Sequence, residues 1–584
     1  MPKKNQVDYQ VVGTNKNALF TLKIHRGEGM ALLAMNWKTE KPPLDFVGFS
    51  VEYKEPDNHK FFTLQNRISF PEALPNDPNV HSTLRSPLQK FRWVHFPHNA
   101  DKKGLFVYKV KPVFMNEKGE LSYGEPQECK VALASETYPK ALNVAFTRGF
   151  ISSQAFVDRF APKGDLSKIL PAKSNKGLDF TPSDPKAAEA LSWMGFEAYS
   201  SILQLLDEAI KNKKAKVCVI AYDLTQRDIV ERLVKLKKRL RIIIDDSKSH
   251  VAAKEDGKMV KSAEDQAEAM LKISAGATNV IRQKMGALQH NKTIIVDGPG
   301  LKKALCGSTN LSWRGIFVQN NNAMILTGNK VVEIFNEAFE NFWNVGTSNK
   351  VALFNTTTSP TWQSLGLKNI NAEVTFSPHS DNNSALQSIA DDIPNVKSSL
   401  LYSMAFLAQT NGPIRDALKN ITKNNKIFVY GIADKPVGGI DLKNSDSNPQ
   451  PVSPEVISGN IPEPFKQESS GGMGIRMHHK FLVMDFNTDD ARVYMGSYNF
   501  SGPADNKNGE NLLVIRDRKV ATSYMIEAVR IFDHYEFRVA NKKAKSKTGG
   551  KLELKLPPRN KKEKPWWDKY YSDKRYSRDR EIFS

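Results

Sequence analysis

"MHHKFLVMD" (477–485) and "QHNKTIIVDG" (289–298) share one pattern: a His, one residue, a Lys, then four residues to an Asp. The apolar run after Lys480 holds β-favouring residues and neither Gly nor Pro, so it reads as a strand. Alternate side chains of a strand share a face, which points His478 and Lys480 one way and His479 the other. An imidazole presented beside an ammonium suits an anion, phosphate first. A single pair of this kind reads as a solvated strand end. Two at the same spacing do not, and the match continues: "GSTNLSWRGIFVQNNNAMIL" (307–326) aligns without a gap with "GSYNFSGPADNKNGENLLVI" (496–515) over twenty positions. The chain carries an internal repeat.

Around each motif the same elements recur in the same order. In the first unit a helix "SILQLLDEAIKN" leads to a strand "AKVCVIAY", a helix "DIVERLVKLKK" and a strand "RLRIIIDDS"; then come the HNK strand, the strand entering GSTN, "AMILTG" and a helix. The second unit runs through "SSLLYSMAF", "IRDALKN", "KIFVYGI", the HHK strand, the strand entering GSYN, "NLLVIRD" and a helix from about 521 to 539. Strands alternating with helices predict an α/β fold, and near-continuous apolar strands predict sheets covered on both faces. The expected body is a tandem pair of α/β domains, 137–350 and 369–540, facing each other across a pseudo-two-fold axis as an internal pseudo-dimer in a monomer. The linker is placed at 351–368, around "TTTSPTWQSLG", and a Pro/Gly/Ser/Asn-rich insertion at 437–460 is expected to be a loop at the mouth of the site.

Residues 1–136 read as turns between strands, with "GLFVYKVKPVF" followed by the hairpin signal "NEKGELS". This region resembles a fibronectin type III-like sandwich, with Trp37 as core tryptophan and Tyr108 as late-strand tyrosine. Such a domain would bind a partner or position substrate. The tail, 541–584, holds 15 Lys or Arg against 6 Asp or Glu and carries "PWWDKYY". Its aromatics, Trp566, Trp567 and Tyr570, could stack on bases, sit at a lipid interface, or belong to a docked or partly disordered solubilising tail. The net charge of +21 draws polyanions, nucleic acid and anionic phospholipid alike. Cys129, Cys218 and Cys306 read as isolated thiols in apolar runs, with neither disulfide nor zinc spacing. No secretory leader or membrane-spanning run stands out, which gives a cytoplasmic expectation.

Two HxKx4D motifs, each followed by GSxN, resemble the phospholipase D superfamily over about residues 140 to 540. The resemblance implies that the motifs meet at the domain interface in one site without metal or other cofactor. One histidine then attacks phosphorus to give a phosphohistidine, and the other protonates the leaving oxygen and later activates water. Carried over by position, the motif residues are His290, Lys292, Asp297, His478, Lys480 and Asp485. The histidines are the catalytic pair, the lysines hold phosphoryl oxygens with Asn310 and Asn499, and Ser308 and Ser497 line the floor. Asp297 and Asp485 lie about 16 Å from their motif lysines, at ~3.3 Å per residue, and are read as structural anchors. His479, on the opposite face, is read as a core or supporting residue.

Family members keep a carboxylate a dozen or so residues past GSxN that hydrogen-bonds a catalytic histidine. Glu510 fills that position in the second half, and its aligned counterpart is Asn321. Pairing within each half gives Glu510 to His478 and Asn321 to His290. On that pairing His290 has the lower pKa and His478 attacks, against the family's usual N-terminal order. The motif style is similar to the endonuclease and mitochondrial cardiolipin-hydrolase branch, which puts nucleic acid slightly ahead of phospholipid as substrate. A non-catalytic polyanion-binding scaffold is the reading from another class, and the two intact His–Lys pairs argue against it.

Overall fold

A computed structural model of the chain describes residues 9–584 apart from 72–78, 98, 135, 150–155, 157–158, 162–165, 172–177, 256–257, 347, 408–410, 425, 434–476, 549 and 551. The insertion at 437–460 lies outside the described residues. Each HxK motif opens a central strand, Lys292–Gly298 in the first half and Lys480–Met484 in the second. Both are buried almost throughout because their apolar runs have neighbours on either edge and cover on both faces.

The first sheet runs Leu142–Phe146, Asn322–Thr327, Leu301–Gly307, Lys292–Gly298, Lys216–Ala221, Leu240–Ile244, Val280–Arg282. The second runs Gln363–Ser364, Asn371–Ser377, Glu510–Arg516, Arg492–Gly496, Lys480–Met484, Ser399–Met404, Phe428–Ala433. Six successive strands correspond, and each sheet adds one edge strand of its own. The added strand of the second sheet, Gln363–Ser364, comes from the segment expected to be a plain linker. That segment also holds a short helix, Lys350–Asn355, and buries Leu365 and Phe354. Apolar residues made it structural: they had a core to enter.

The halves meet at the motif ends of their central strands, through two reciprocal backbone bridges, Gln289 with Gly509 and Asn320 with Met477. Contacts in which each half gives what it receives are what a two-fold relation requires. One hydrophobic core runs through both halves, including Phe335, Phe342, Phe376, Phe481 and Tyr524.

Residues 9–134 form two antiparallel sheets, one built on Phe20–Arg26 and Ala31–Trp37, the other on Phe46–Lys54 and Phe106–Met115. Trp37 and Tyr108 lie in the core between them. Trp566, Trp567 and Tyr570 join that same core, and the two indole N–H groups donate to the carbonyls of Phe46 (3.0 Å) and Pro43 (3.2 Å). This decides among the tail's three readings: the aromatics are spent on folding and are not free to stack on bases or enter lipid. Further along, Asp579 pairs with Arg92 at 2.6 Å, and Arg92 also reaches Asp533 of the long helix Arg518–Thr548 at 2.5 Å. The tail thus fastens the sandwich to the second half. Trp566→Ala is expected to lower unfolding stability by about 3–5 kcal/mol, the usual cost of removing a buried large aromatic. Urea or thermal unfolding reads this, and an unchanged midpoint would contradict the docked tail.

Candidate active site

His290 and His478 face each other across the interface with ring centroids 6.4 Å apart at 65°. Both are buried, as strand entries at the meeting of two sheets must be. Their Nδ1 partners cross the interface. His290 Nδ1 bonds Glu510 Oε2 at 2.7 Å, and His478 Nδ1 bonds Asn321 Oδ1 at 2.8 Å. Pairing within each half, expected from the alignment, is therefore reversed. The reason is the interface itself: the strand following each GSxN ends against the other half's histidine. The next residues repeat the exchange, with Asn511 Nδ2 donating to Asn291 Oδ1 (2.6 Å) and Asn322 Nδ2 near His479 Nδ1 (3.4 Å).

Each motif lysine folds back on its own histidine. Lys292 Nζ donates to the His290 carbonyl; Lys480 Nζ donates to the His478 carbonyl (2.8 Å) and reaches its Nε2 at 3.1 Å. Burial of Lys292 brings its pKa down to about 8, against the raising pull of Glu510, Asp223 and Asp245. Burial also lowers both histidines. His290 is lowered with Glu510 opposing, whereas His478 is driven well below the ordinary imidazole value, with Lys480, Lys292 and His290 adding to burial. The expected order, His290 lower, is overturned for the same reason as the pairing: the carboxylate stands beside the other ring.

Asn310 and Asn499 are near the site by sequence and each buries an Oδ1 without a hydrogen-bond partner among the described residues. A buried polar atom left unpaired costs roughly 1–3 kcal/mol, a penalty folded proteins tend to concentrate where function needs it. Ser308 Oγ donates to Asn321 Oδ1 (2.9 Å) and accepts from Asn322 N (3.0 Å); Ser497 Oγ likewise accepts from Asn511 N (2.9 Å). Ser308 thus braces Asn321, which holds His478, and Ser497 braces Asn511, the residue after the Glu510 that holds His290. Asp485 accepts from the backbone N–H groups of Lys397 (3.0 Å) and Ser398 (2.7 Å) and pairs with Arg492 (3.3 Å), while Asp297 meets Lys302 and Asn336. Both sit at the strand ends away from the histidines. His479 packs under the site, its Nε2 bonded to buried Glu527 at 3.0 Å.

Four residues escaped sequence reasoning. Tyr222 lies edge-on between His290 (4.6 Å) and His250 (4.4 Å), and Lys292 Nζ stands 4.6 Å above its ring. Behind it, His250 bonds Asp223 and Asp245, both at 2.8 Å. Asp223, His250 and Glu264 offer three donor atoms within 4.8 Å of one another, but His250 has both ring nitrogens on carboxylates, which describes a protonated imidazole and not a metal ligand. The available signal was position: Tyr222, Asp223 and Asp245 follow directly on two parallel neighbouring strands, at the strand ends where α/β sheets gather their functional groups.

Two equivalent α/β halves closing on a crossed pair of histidines define a bilobal protein with one shared HxK site. The PLD-like domain family described as cardiolipin synthase matches residues 204–343 and 389–531, one HxK motif in each segment, so each half carries a domain of the phospholipase D superfamily. A phospholipase D of Rickettsia felis is 40% identical over 48 residues, 8% of this chain and 22% of that protein, so the match spans about a fifth of the relative's length. Among solved structures, phosphatidylserine synthase of Haemophilus influenzae matches with a TM-score of 0.41 and 12% identity, over 61% of this chain and 92% of that one. The phospholipase D family member Nuc of Salmonella typhimurium matches with a TM-score of 0.18 and 22% identity, over 29% of this chain and 93% of that one.

Proposed function

We propose that the chain is a phosphodiesterase that works through a covalent phosphohistidine and acts on nucleic acid. The observation that carries this is the crossed arrangement. Each Nδ1 is fixed from the opposite half, which turns both Nε2 atoms to the shared gap, with Lys292 and Lys480 beside them. A phosphodiester monoanion repels hydroxide; two ammonium groups and flanking amides offset the charge that spreads over its oxygens in the transition state. In the proposed sequence His290 Nε2 attacks phosphorus, the bond to the leaving oxygen breaks, and His478 supplies that oxygen's proton. His478 then takes a proton from water, whose oxygen attacks phosphorus and breaks the P–N bond, releasing a phosphomonoester and free His290. Substrate anion beside the depressed His478 raises its pKa and favours loading it with the proton it must deliver.

The net charge of +21 supports a polynucleotide, since each phosphate engaged releases condensed counterions. The tail's aromatics are buried, but Lys561, Lys562 and Lys564 remain exposed for the backbone. No helix among the described residues is long and apolar enough to cross a membrane. The names of the matching family and of the Rickettsia relative favour a second reading, hydrolysis or transfer at phospholipid head groups. One assay separates them: purified chain in EDTA offered single-stranded DNA, double-stranded DNA, RNA and phospholipid vesicles side by side. Cleavage of a polynucleotide is expected, with log affinity falling against log salt by roughly 0.7 to 0.9 per phosphate contacted. Release of head groups with all nucleic acids intact would move the substrate to lipid.

A further inference from the structure

The two halves differ behind their lysines. The ladders pair Ala221 with Lys292 and Met404 with Lys480, so Tyr222 and Asp223 correspond to Ala405 and Phe406. The first half therefore places an aromatic ring and a carboxylate where the second has a methyl and a phenyl group. The counterpart of Asp245 falls outside the described residues.

The first-half cluster is connected at every joint. His250 Nε2 bonds Asp223 Oδ1 and its Nδ1 bonds Asp245 Oδ2, each at 2.8 Å. Asp245 Oδ1 accepts the Gln289 N–H at 2.6 Å, the backbone donor directly before His290. Asp223 Oδ2 accepts from Ser312 Oγ at 3.3 Å, which ties the cluster to the turn after GSTN. Tyr222 fills the space between the clamp and the site, against His250, His290 and Lys292. An imidazole flanked by two carboxylates donates from both nitrogens only as the cation. Its pKa is accordingly raised to about 10, and the surplus negative charge shows on buried Glu264, pushed up to about 7 chiefly by burial and then by Asp223.

We propose that the Asp223–His250–Asp245 clamp is a positioning unit for His290 and Lys292, holding Tyr222 and the Gln289 backbone in place and setting the charge that Lys292 experiences. None of its members touches the reacting atoms. The inference rests on the reading that His290 and Lys292 engage a phosphodiester, and it adds the asymmetry between the two His–Lys pairs.

Two variants act on Lys292 in opposite directions. Asp223→Asn removes a negative charge near the ammonium, so Lys292 loses its proton more easily and the alkaline limb of kcat/KM on a small soluble phosphodiester moves to lower pH. His250→Gln removes the cation that neutralises the carboxylates, so the limb moves to higher pH. Each shift is expected to be on the order of one pH unit, given the proximity of the charges. Glu510, His290, His478, Lys480, Tyr222, Arg314 and Glu264, the other titratable and charged groups around the site, are the same in both variants. A structural role would scale activity equally at all pH. Limbs that stay in place, or move in the same direction, overturn the proposal. Spectra of the full chain with 15N-labelled histidine need no turnover. Both His250 nitrogens are expected to be protonated at pH 8, with His290 resonances shifting in Asp223→Asn. A neutral His250 overturns the clamp. A wild-type chain inert on every diester while His250 is doubly protonated and His290 responds would sink the catalytic reading and leave the clamp standing.

Discussion

His290→Asn and His478→Asn should each lower turnover of a phosphodiester by roughly 10² to 10⁴, the contribution of one positioned acid or base. The loss from removing the attacking ring should be at the upper end, because no covalent intermediate can then form. The two rings belong to one gap, 6.4 Å between centroids, and each is held by a side chain from the opposite half. A mechanism split between attack and protonation cannot run on either half alone. The double variant should therefore be little worse than the poorer single variant, as for groups that act as a unit. The superfamily resemblance implies that wild-type activity persists in EDTA. Steady-state rates on a generic diester, with unfolding midpoints to exclude misfolded variants, test this. Activity surviving either substitution would defeat the shared site, and absolute dependence on a divalent ion would defeat the proposed chemistry.

Motif spacing and strand periodicity carried most of the fold. The HxK runs had to be central strands because their apolar residues leave no polar face, and the matching strand orders of the two sheets follow from the repeat. What escaped was contact between segments far apart in sequence. Alignment compares Glu510 with Asn321 inside each half and is silent about which histidine each will meet; only the reciprocal bridges of Gln289 with Gly509 and Asn320 with Met477 decide that. Trp566 and Trp567 were left open between ligand contact and docking for the same reason. A basic, aromatic stretch looks like a ligand surface until a sandwich with room for two indoles lies beside it. His250 had no signature, since its meaning depends on Asp223 and Asp245 arriving from two neighbouring strands.

The phosphoryl group should be found on His290. An attacking imidazole must be neutral, aimed and basic. Glu510 Oε2 at 2.7 Å fixes the proton on Nδ1, leaves the Nε2 lone pair for phosphorus, and favours the positive ring that forms on attack. Asn321 fixes the same tautomer on His478 but brings no charge, and Lys480 at 3.1 Å from Nε2 holds that ring neutral until an anion arrives. Burial lowers both rings and Glu510 opposes it only for His290, so His290 is the better base and His478 the readier donor once loaded. Glu510→Gln keeps the shape and removes the charge. It should slow phosphoenzyme formation by up to about 10⁴, the cost seen when a buried orienting carboxylate in a hydrolytic triad becomes an amide and admits the wrong tautomer. Asn321→Ala should mainly slow leaving-group expulsion, and substrates with leaving groups that need no proton should escape that loss. Acid quench during turnover and peptide mapping locate the phosphoryl group. A modification found only on the peptide holding His478 would reverse the roles, and a Glu510→Gln chain that forms phosphoenzyme at the wild-type rate would remove the reason for assigning them.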